Sequence, residues 1–331
     1  MRSTPLIQFT DKGFYCETAD VYIDPWRVVP NALITHAHAD HARPGMGLYI
    51  GHHHTIAILK HRIAKSINFQ GLEYGETLMK NGVRFSFHPA GHVTGSAMIR
   101  IEYRGEVWLL SGDYKMEDDG FTPFGDIQKC HHFITESTFG LPIFDWAPQE
   151  TLIHEMTEWY LSNAGQGLNS IITGYSLGKP QRLAHQLRHL PLFEHPVVHA
   201  MHEHMRSAGI PVPYHPLATP ESVKAFGKPV LIIAPPAQPG NTWLEQFEPL
   251  QLANASGWMA LRSNRKRLNG EKGFAMSDHA DWKGLLTAVK ASGADHIYVT
   301  HGYSDIFARY LRENGYDAKE VKTGYADETD H

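Results

Sequence analysis

The stretch LITHAHADHA, residues 33–42, sets three histidines and an aspartate directly behind an apolar, β-branched run. Leu33, Ile34 and Thr35 read as the end of a buried strand. A tight turn just past a strand end aims several side chains into one small volume, and any fold of this chain has to preserve that volume. Three or four such ligands satisfy one zinc ion. A hydrophilic histidine-rich loop is the plainer alternative, but it leaves no reason for an apolar run to end in so dense a cluster. Two further ligand types follow strand-like runs, His92 in AGHVTGS and Asp113 in LLSGDYK. Either residue alone reads as structural. Their joint occurrence after the first cluster marks both as ligands, and Asp113 takes the bridging role that a carboxylate can play between two ions.

Bulk properties narrow the class without deciding the chemistry. At 331 residues the chain is long enough for one large or two medium domains. A 42% hydrophobic and 20% charged composition argues against disorder. No apolar run nears the length of a bilayer span, and the opening MRSTPLIQFTDKGF lacks the apolar core of a signal peptide. Only Cys16 and Cys130 are present, outside any CxxC pair, which points to a reducing, cytoplasmic setting with no membrane partner. The net charge of −5 excludes a generically basic nucleic-acid binder, so a polyanion would have to be handled by local patches and metal ions. Histidine, with 23 copies, is the compositional outlier.

The first half of the chain reads as short strands: DVYIDP, NALITH, GVRFSFHPA, AMIRIEYRG, EVWLLSGD and CHHFITEST, with a hairpin turning at Arg104-Gly105. IAILKHRIAKSI, residues 56–67, carries helical spacing. From about Pro142 helices and strands alternate: PQETLIHEMTEWYLSN, NSIITG, KPQRLAHQLRHL, HPVVHA, HEHMRSAG and PVLIIAPP. That alternation predicts βαβ units around a partly parallel sheet, hence a separate domain. Ligand-type residues return after about Lys272. The GHHHT segment reads as a polar loop, His131 and His132 as a strand start, and Trp159 and Tyr160 as helix core. His199, His202 and His204 are not expected to form a second metal site.

The order His36, His38, Asp40, His41, His92, Asp113 and then a late histidine resembles the metallo-β-lactamase superfamily. The resemblance implies an α/β fold, an αββα sandwich with metals at one sheet edge. ITESTFG with Glu136, MSDHADW with His279 and VTHG with His301 resemble the three extra motifs of the β-CASP nucleases, whose α/β cap domain is inserted between the first and second of them. The expected division is therefore a metallo-β-lactamase domain of residues 1–141 and 272–331 and a β-CASP cap of residues 142–271. Asp24 in YIDP is similar to the family's first motif, an aspartate that orients the histidine loop without binding metal. Over its length the chain most resembles the compact bacterial ligase-associated DNA exonucleases, which accompany a DNA ligase and a helicase in repair operons.

Carried over by position, the resemblance implies that His36, His38 and His92 hold one ion and Asp40, His41 and His301 the other, with Asp113 shared. The ions would be two divalent cations, Zn2+ first and Mn2+ second. Asp40, Glu136 and His279 would take part in catalysis, the last two as a hydrogen-bonded pair; the alternative for His279 is a helix start capped by Ser277 or Asp278. An amide-cleaving lactamase has no need of that pair, which tilts the reading toward phosphate esters; the resemblance then implies a two-metal DNA exonuclease acting on a single strand or duplex end, functionally tied to an ATP-dependent DNA ligase and helicase. The alternative is an RNA-processing nuclease, because in this family a histidine at the His301 position usually accompanies RNA substrates. Substrate contacts are expected from Lys115, from Ser176 and Lys179 in TGYSLGKPQRL, and from Arg265, Lys266 and Arg267 in SNRKRLNGEK. A small-molecule thioester hydrolase shares the ligand pattern but assigns no role to Glu136, His279 or a cap. A catalytically dead scaffold subunit predicts missing ligands, and every expected ligand type is present.

Overall fold

The computed structural model describes residues 5–236, 242–266 and 271–324. Arg267, one of the expected substrate contacts, lies outside them. Six strands open the chain: β1 (Gln8–Phe9), β2 (Phe14–Cys16), β3 (Val21–Ile23), β4 (Asn31–Ile34), β5 (Leu48–His52) and β6 (Phe69–Leu72), with helix α1 (His53–Arg62) between β5 and β6. They form one sheet in sequence order, antiparallel from β1 to β3 and parallel from β3 to β6. Then come β7 (Thr77–Lys80), β8 (Val83–Pro89), β9 (Ala97–Tyr103), β10 (Glu106–Leu110) and β11 (His132–Glu136).

After β11 the chain builds α2 (Gln149–Gly165), β12 (Asn169–Thr173), α3 (Lys179–Gln186), β13 (Leu192–Glu194), α4 (Pro196–Ser207), α5 (Pro220–Phe226), β14 (Leu231–Ala234), β15 (Leu250–Ala255), α6 (Arg262–Lys266) and β16 (Lys272–Phe274). It closes with α7 (Trp282–Ser292), β17 (His296–Thr300), α8 (Ser304–Glu313) and β18 (Asp317–Glu320). The second sheet has the order β18-β17-β11-β10-β9-β8-β7, so the late strands return to pair with strands made before the interruption. Its β7-to-β10 half is antiparallel and its β10-to-β18 half is parallel.

The two sheets face each other through an apolar layer. Phe14, Val21, Ile23, Leu33 and Ile50 come from the first, and Phe85, Phe87, Ile99, Ile101, Trp108 and Leu110 from the second. Period-two alternation is plain in β8, where Val83, Phe85 and Phe87 point into this layer and Arg84, Ser86 and His88 occupy the other face. The outer face of the second sheet is covered by Leu285, Ala288 and Val289 of α7 and by Phe307, Ala308 and Leu311 of α8, which meet Met98, Leu109, Phe133 and Ile297. With α1 packed beside β5 and β6, the layering is helix, sheet, sheet, helix.

Among the described residues two compact units result: 5–144 with 279–324, and Asp145–Asp278. The second has its own parallel sheet, in the order β13-β14-β12-β15-β16, and its own core around Met156, Ile172, Leu183, Leu231 and Ala253. Residues 272–278, expected in the first unit, belong to the second, because β16 pairs in parallel with β15. Several local expectations also shift. GHHHT is not a loop: His52 ends β5 and His53 opens α1, which stops at Arg62 rather than at residue 67. HPVVHA and HEHMRSAG make one helix, α4. Tyr160 is buried in the core with Trp159 packed against it, and β11 begins at His132. The hairpin does turn at Arg104-Gly105, where both residues have positive φ (49° and 86°), the two-residue turn that suits twisted antiparallel strands. No helix among the described residues is long and apolar enough to cross a membrane.

One glycine shows how tightly the strand ends are fitted. Gly112, between β10 and Asp113, has φ +55°, and a Cβ there would sit 2.6 Å from Thr35 Oγ1. Gly112→Ala is expected to cost about 1–3 kcal/mol in backbone strain alone. A thermal melt should fall by several degrees, and an unchanged melt would show that Thr35 and Asp113 are not held this closely.

Candidate metal centre

The parallel arrangement delivers the candidate ligands to one edge. β4 runs into Thr35, His36, His38, Asp40 and His41, and β3, its parallel neighbour, ends just before Asp24. β8, β10, β11 and β17 share one direction in the second sheet, and past their C-terminal ends lie His92, Asp113, Glu136 (the last residue of β11) and His301. His301 sits in the left-handed region, φ +56°, followed by Gly302 at +60°, where a Cβ would come within 2.5 Å of Thr138 Cα. A strand therefore ends abruptly there and turns the imidazole toward the cluster.

Ligand-type atoms converge in three groups: His36, His38, His92 and Asp113; Asp40, His41 and His301; and Asp113, Glu136 and His279. Within each group these atoms lie within 4.8 Å of one another. Asp113 Oδ2 stands 3.4 Å from His36 Nε2, 3.5 Å from His41 Nε2 and 3.7 Å from His92 Nε2. Those spacings are too long for hydrogen bonds but match ligands arranged around an ion at about 2 Å from each, whose mutual separations are near 3.3 Å. His41 Nε2 is 3.5 Å and His301 Nε2 is 3.9 Å from Asp40 Oδ2. His92 Nε2 and His38 Nδ1 approach to 3.1 Å.

Whether cations fit can be judged from the buried atoms. Asp113 is 1% exposed and His36 fully buried, yet both carboxylate oxygens of Asp113, His36 Nε2 and Asp40 Oδ2 make no hydrogen bond. Leaving such acceptors buried and unmatched costs several kcal/mol unless a cation meets them. The donor set of imidazole nitrogen and carboxylate oxygen suits zinc, and also manganese. Burial pushes the Asp113 carboxyl up to about 7, although His41 pulls it the other way. Burial also holds His36 well below its ordinary range, leaving it neutral as a ligand must be. For His41 burial is outweighed by Asp113, Asp40 and Asp24, which raise it well above the usual histidine value. Asp40 is lowered: burial opposes ionisation, but His41 and His301 outweigh it.

A supporting layer fixes which nitrogen faces the cluster. Asp24 accepts from the Thr35 backbone N–H (2.8 Å) and from the Thr35 hydroxyl (2.6 Å). It also lies 2.7 Å from His41 Nδ1, which donates to it and leaves Nε2 as a lone-pair donor. Because the single Thr35 hydroxyl proton goes to Asp24, Thr35 Oγ1 accepts from His36 Nδ1 at 3.0 Å, and His36 Nε2 is likewise left as a lone pair. Glu136 accepts the Tyr114 backbone N–H at 2.8 Å on one oxygen and meets His279 Nδ1 at 2.9 Å with the other. His279 is not a helix residue: α7 begins at Trp282, capped by Asp281, whose side chain accepts from Gly284 N–H.

Of the expected substrate contacts, Lys115 lies in the first compact unit. Lys115 is buried and paired with Glu117 at 3.2 Å. Ser176, Lys179, Arg265 and Lys266 belong to the second compact unit. There Lys179 is buried, 3.3 Å from Asp278, instead of presenting its ammonium at an open helix start. Arg265 and Lys266 are exposed on α6, and Ser176 is half-buried. Sequence reasoning missed Thr35, Tyr114 and the buried contact of Arg182 with Asp278. Thr35 and Tyr114 each adjoin a predicted ligand, which is the one signal that could have found them. In α4, His199 and His202 both engage the buried Glu194, at 3.0 and 2.6 Å, as polar partners within the second unit.

No protein-family model matches the chain. A probable DNA ligase of Opitutus terrae is 27% identical over 316 residues, covering 92% of this chain but 30% of the relative. An endoribonuclease YSH1 of Kluyveromyces lactis is 30% identical over 114 residues, 34% of this chain and 15% of that protein. Cleavage and polyadenylation specificity factor subunit 3-I of Arabidopsis thaliana is 30% identical over 116 residues. The chain thus spans less than a third of the length of these relatives. A crystal structure of a protein of unknown function from Enterococcus faecalis superposes with a TM-score of 0.61 at 14% identity, covering 88% of this chain and 78% of that one. The YSH1 and cleavage-factor relatives each align with 34% of this chain. The layering above and the superposition agree with the expected fold, a metallo-β-lactamase αββα sandwich interrupted by an inserted α/β unit.

Two outcomes test the centre. Asp24→Asn leaves the shape but weakens the acceptor for His41, and is expected to lower zinc affinity about 10–100-fold by equilibrium titration. Full affinity in this variant would remove Asp24 from the design. The second concerns pH. The folded Asp113 pKa, about 7, stands above its ordinary 3.8, so the metal-free fold loses this group's contribution as pH rises through about 7. The raised His41 acts with the same sign, while His36, lowered, costs stability as pH falls below its ordinary 6.5. Cations need Asp113 and His41 deprotonated, so the rise in melting temperature on adding zinc should be larger at pH 8 than at pH 6. Equal increments would contradict the proposed ligand set.

Proposed function

We propose that the chain is a metal-dependent phosphodiester hydrolase acting on nucleic acid, with His36, His38 and His92 holding one divalent cation, Asp40, His41 and His301 holding a second, and Asp113 shared. The observation that carries this reading is the burial of both Asp113 oxygens, unbonded, among imidazoles of both sets. Bound there, the cations would neutralise charge on a phosphodiester and make water a stronger nucleophile at neutral pH. Asp24 and Thr35 hold His41 and His36 in the tautomers that present Nε2. Glu136, fixed by the Tyr114 backbone N–H, accepts from His279 Nδ1 and so sets the orientation of that ring. His279 is then the group suited to protonate the leaving oxygen. Its ring centroid is 4.6 Å from that of His92, which puts it beside the cluster.

As substrate, RNA has the better support. The endoribonuclease-named relatives reach 30% identity, and His301 stands 3.9 Å from Asp40 in the second ligand group. The second reading is the DNA exonuclease of a ligase-linked repair system, favoured by the ligase-named relative that aligns with 92% of this chain. The second compact unit, Asp145–Asp278, would correspond to the β-CASP cap.

His279→Ala is expected to lower phosphodiester hydrolysis about 10²–10⁴-fold while zinc content is retained, with Glu136→Gln losing activity in the same direction. Matched RNA and DNA oligonucleotides, end-labelled and incubated with zinc or manganese, decide the substrate. Preferential RNA cleavage supports the first reading, and cleavage confined to DNA ends supports the second. An active His279→Ala variant would contradict the acid role.

A further inference from the structure

Away from the candidate centre, the first unit carries a cavity of about 370 Å³, lined by Arg84, Ser86, His88, Arg100, Gln128 and Lys129 together with Gly75. Its floor is the outer face of β8 and β9. Arg84, Ser86 and His88 alternate outward along β8, and Ser86 stands directly across from Arg100 on β9. The α7 and α8 side chains that cover this sheet meet Met98, Leu109, Phe133 and Ile297, which leaves the β8 side of the same face polar. Three permanent cations therefore converge on one concavity of a chain whose net charge is −5.

The bland alternative is a solvated charged face, and the local acid count argues against it. Glu102 pairs with Arg100 at 2.6 Å and faces Arg84 across the strands, so it offsets one of the three cations. Lys129 lies beside Gly293 at the C-terminal end of α7, where a helix dipole favours a cation without neutralising it. Neutral polar groups complete the lining: Ser86 Oγ and His88 Nε2, 2.9 Å apart, and Gln128. Guanidinium, ammonium and hydroxyl groups around a cavity larger than a single phosphate needs are a recognition set for phosphodiesters.

We propose that this cavity is an auxiliary site for backbone phosphates of a nucleic-acid strand, separate from the candidate metal centre; it rests on the nuclease reading for its choice of ligand. β8 ends at Pro89, shortly before His92, so one strand carries the cavity's Arg84, Ser86 and His88 and leads directly to a candidate metal ligand.

The binding test uses the full chain in a His279→Ala background, without added metal so that cleavage is slowed further, with a fluorescent single-stranded oligonucleotide titrated at several salt concentrations. For Arg84→Gln/Arg100→Gln the slope of log K against log salt should fall by about 1.4, roughly 0.7 for each phosphate that is no longer neutralised. Arg84→Gln/Lys129→Gln, which leaves the Arg100–Glu102 pair intact, should show the same fall. Unchanged slopes in both variants overturn the proposal. Inorganic phosphate, titrated in parallel, separates the two sources of the anion: abolished phosphate binding with no slope change would assign the cavity to free phosphate and overturn the strand assignment. With His279 restored, hydrolysis of bis(p-nitrophenyl) phosphate, too small to span both places, should be equal in wild type and both double variants. Wild-type failure on that small ester would fall on the metal-centre reading, while the salt slopes would still judge the cavity.

Discussion

A buried carboxylate without hydrogen-bond donors is the constraint around which this molecule is organised. Asp113 lies between the two sheets' ligand-bearing edges with neither oxygen bonded. An isolated ionised group in such a place costs several kcal/mol. Imidazoles approach it from both sides at distances that suit a shared cation and not a hydrogen bond. With no cation beside it, burial favours the neutral carboxyl, although His41 opposes this.

The sandwich makes this convergence possible. Parallel strands end together, so residues distant in sequence can meet at one edge without long, floppy loops. Each ligand then needs a local device to hold it. Gly112 takes a left-handed turn against Thr35, His301 takes one itself, and Asp24 binds Thr35 and His41 at once. The Glu136–His279 pair is held by different elements, strand β11 and the loop before α7, and the polar layer beneath it is a backbone N–H. Ligand geometry and proton placement are thus specified by separate parts of the fold.

Much of the candidate centre was legible because a metal-ligand pattern concentrates rare residue types. His36, His38, Asp40 and His41 cluster visibly in the chain, and the apolar run of β4 before them betrays a strand buried on both faces. Asp24, Glu136, His279 and His301 were legible only by resemblance, since a single acid or histidine at a strand end carries no local signal. What stayed hidden depends on partners chosen over long separations. The pairing of β16 with β15 draws residues 272–278 into the second unit, and Asp278 takes Lys179 and Arg182 as partners inside it. Lys179 looked like a phosphate contact because a lysine behind glycine at a helix start has that form; its burial against an acid comes from packing. Likewise His52 and His53 looked like loop residues, but His52 is buried and stacks on Tyr74. The cavity on β8 and β9 was invisible for the same reason, because its cations are interleaved with core residues.

The most direct measurement is anomalous diffraction at the zinc edge from crystals of the metal-loaded protein. Two peaks about 3.5–4 Å apart are predicted, one contacting His36, His38 and His92, the other Asp40, His41 and His301, with Asp113 touching both. No peak beside Asp113 after loading, or ions bound only elsewhere, would contradict the account at its foundation.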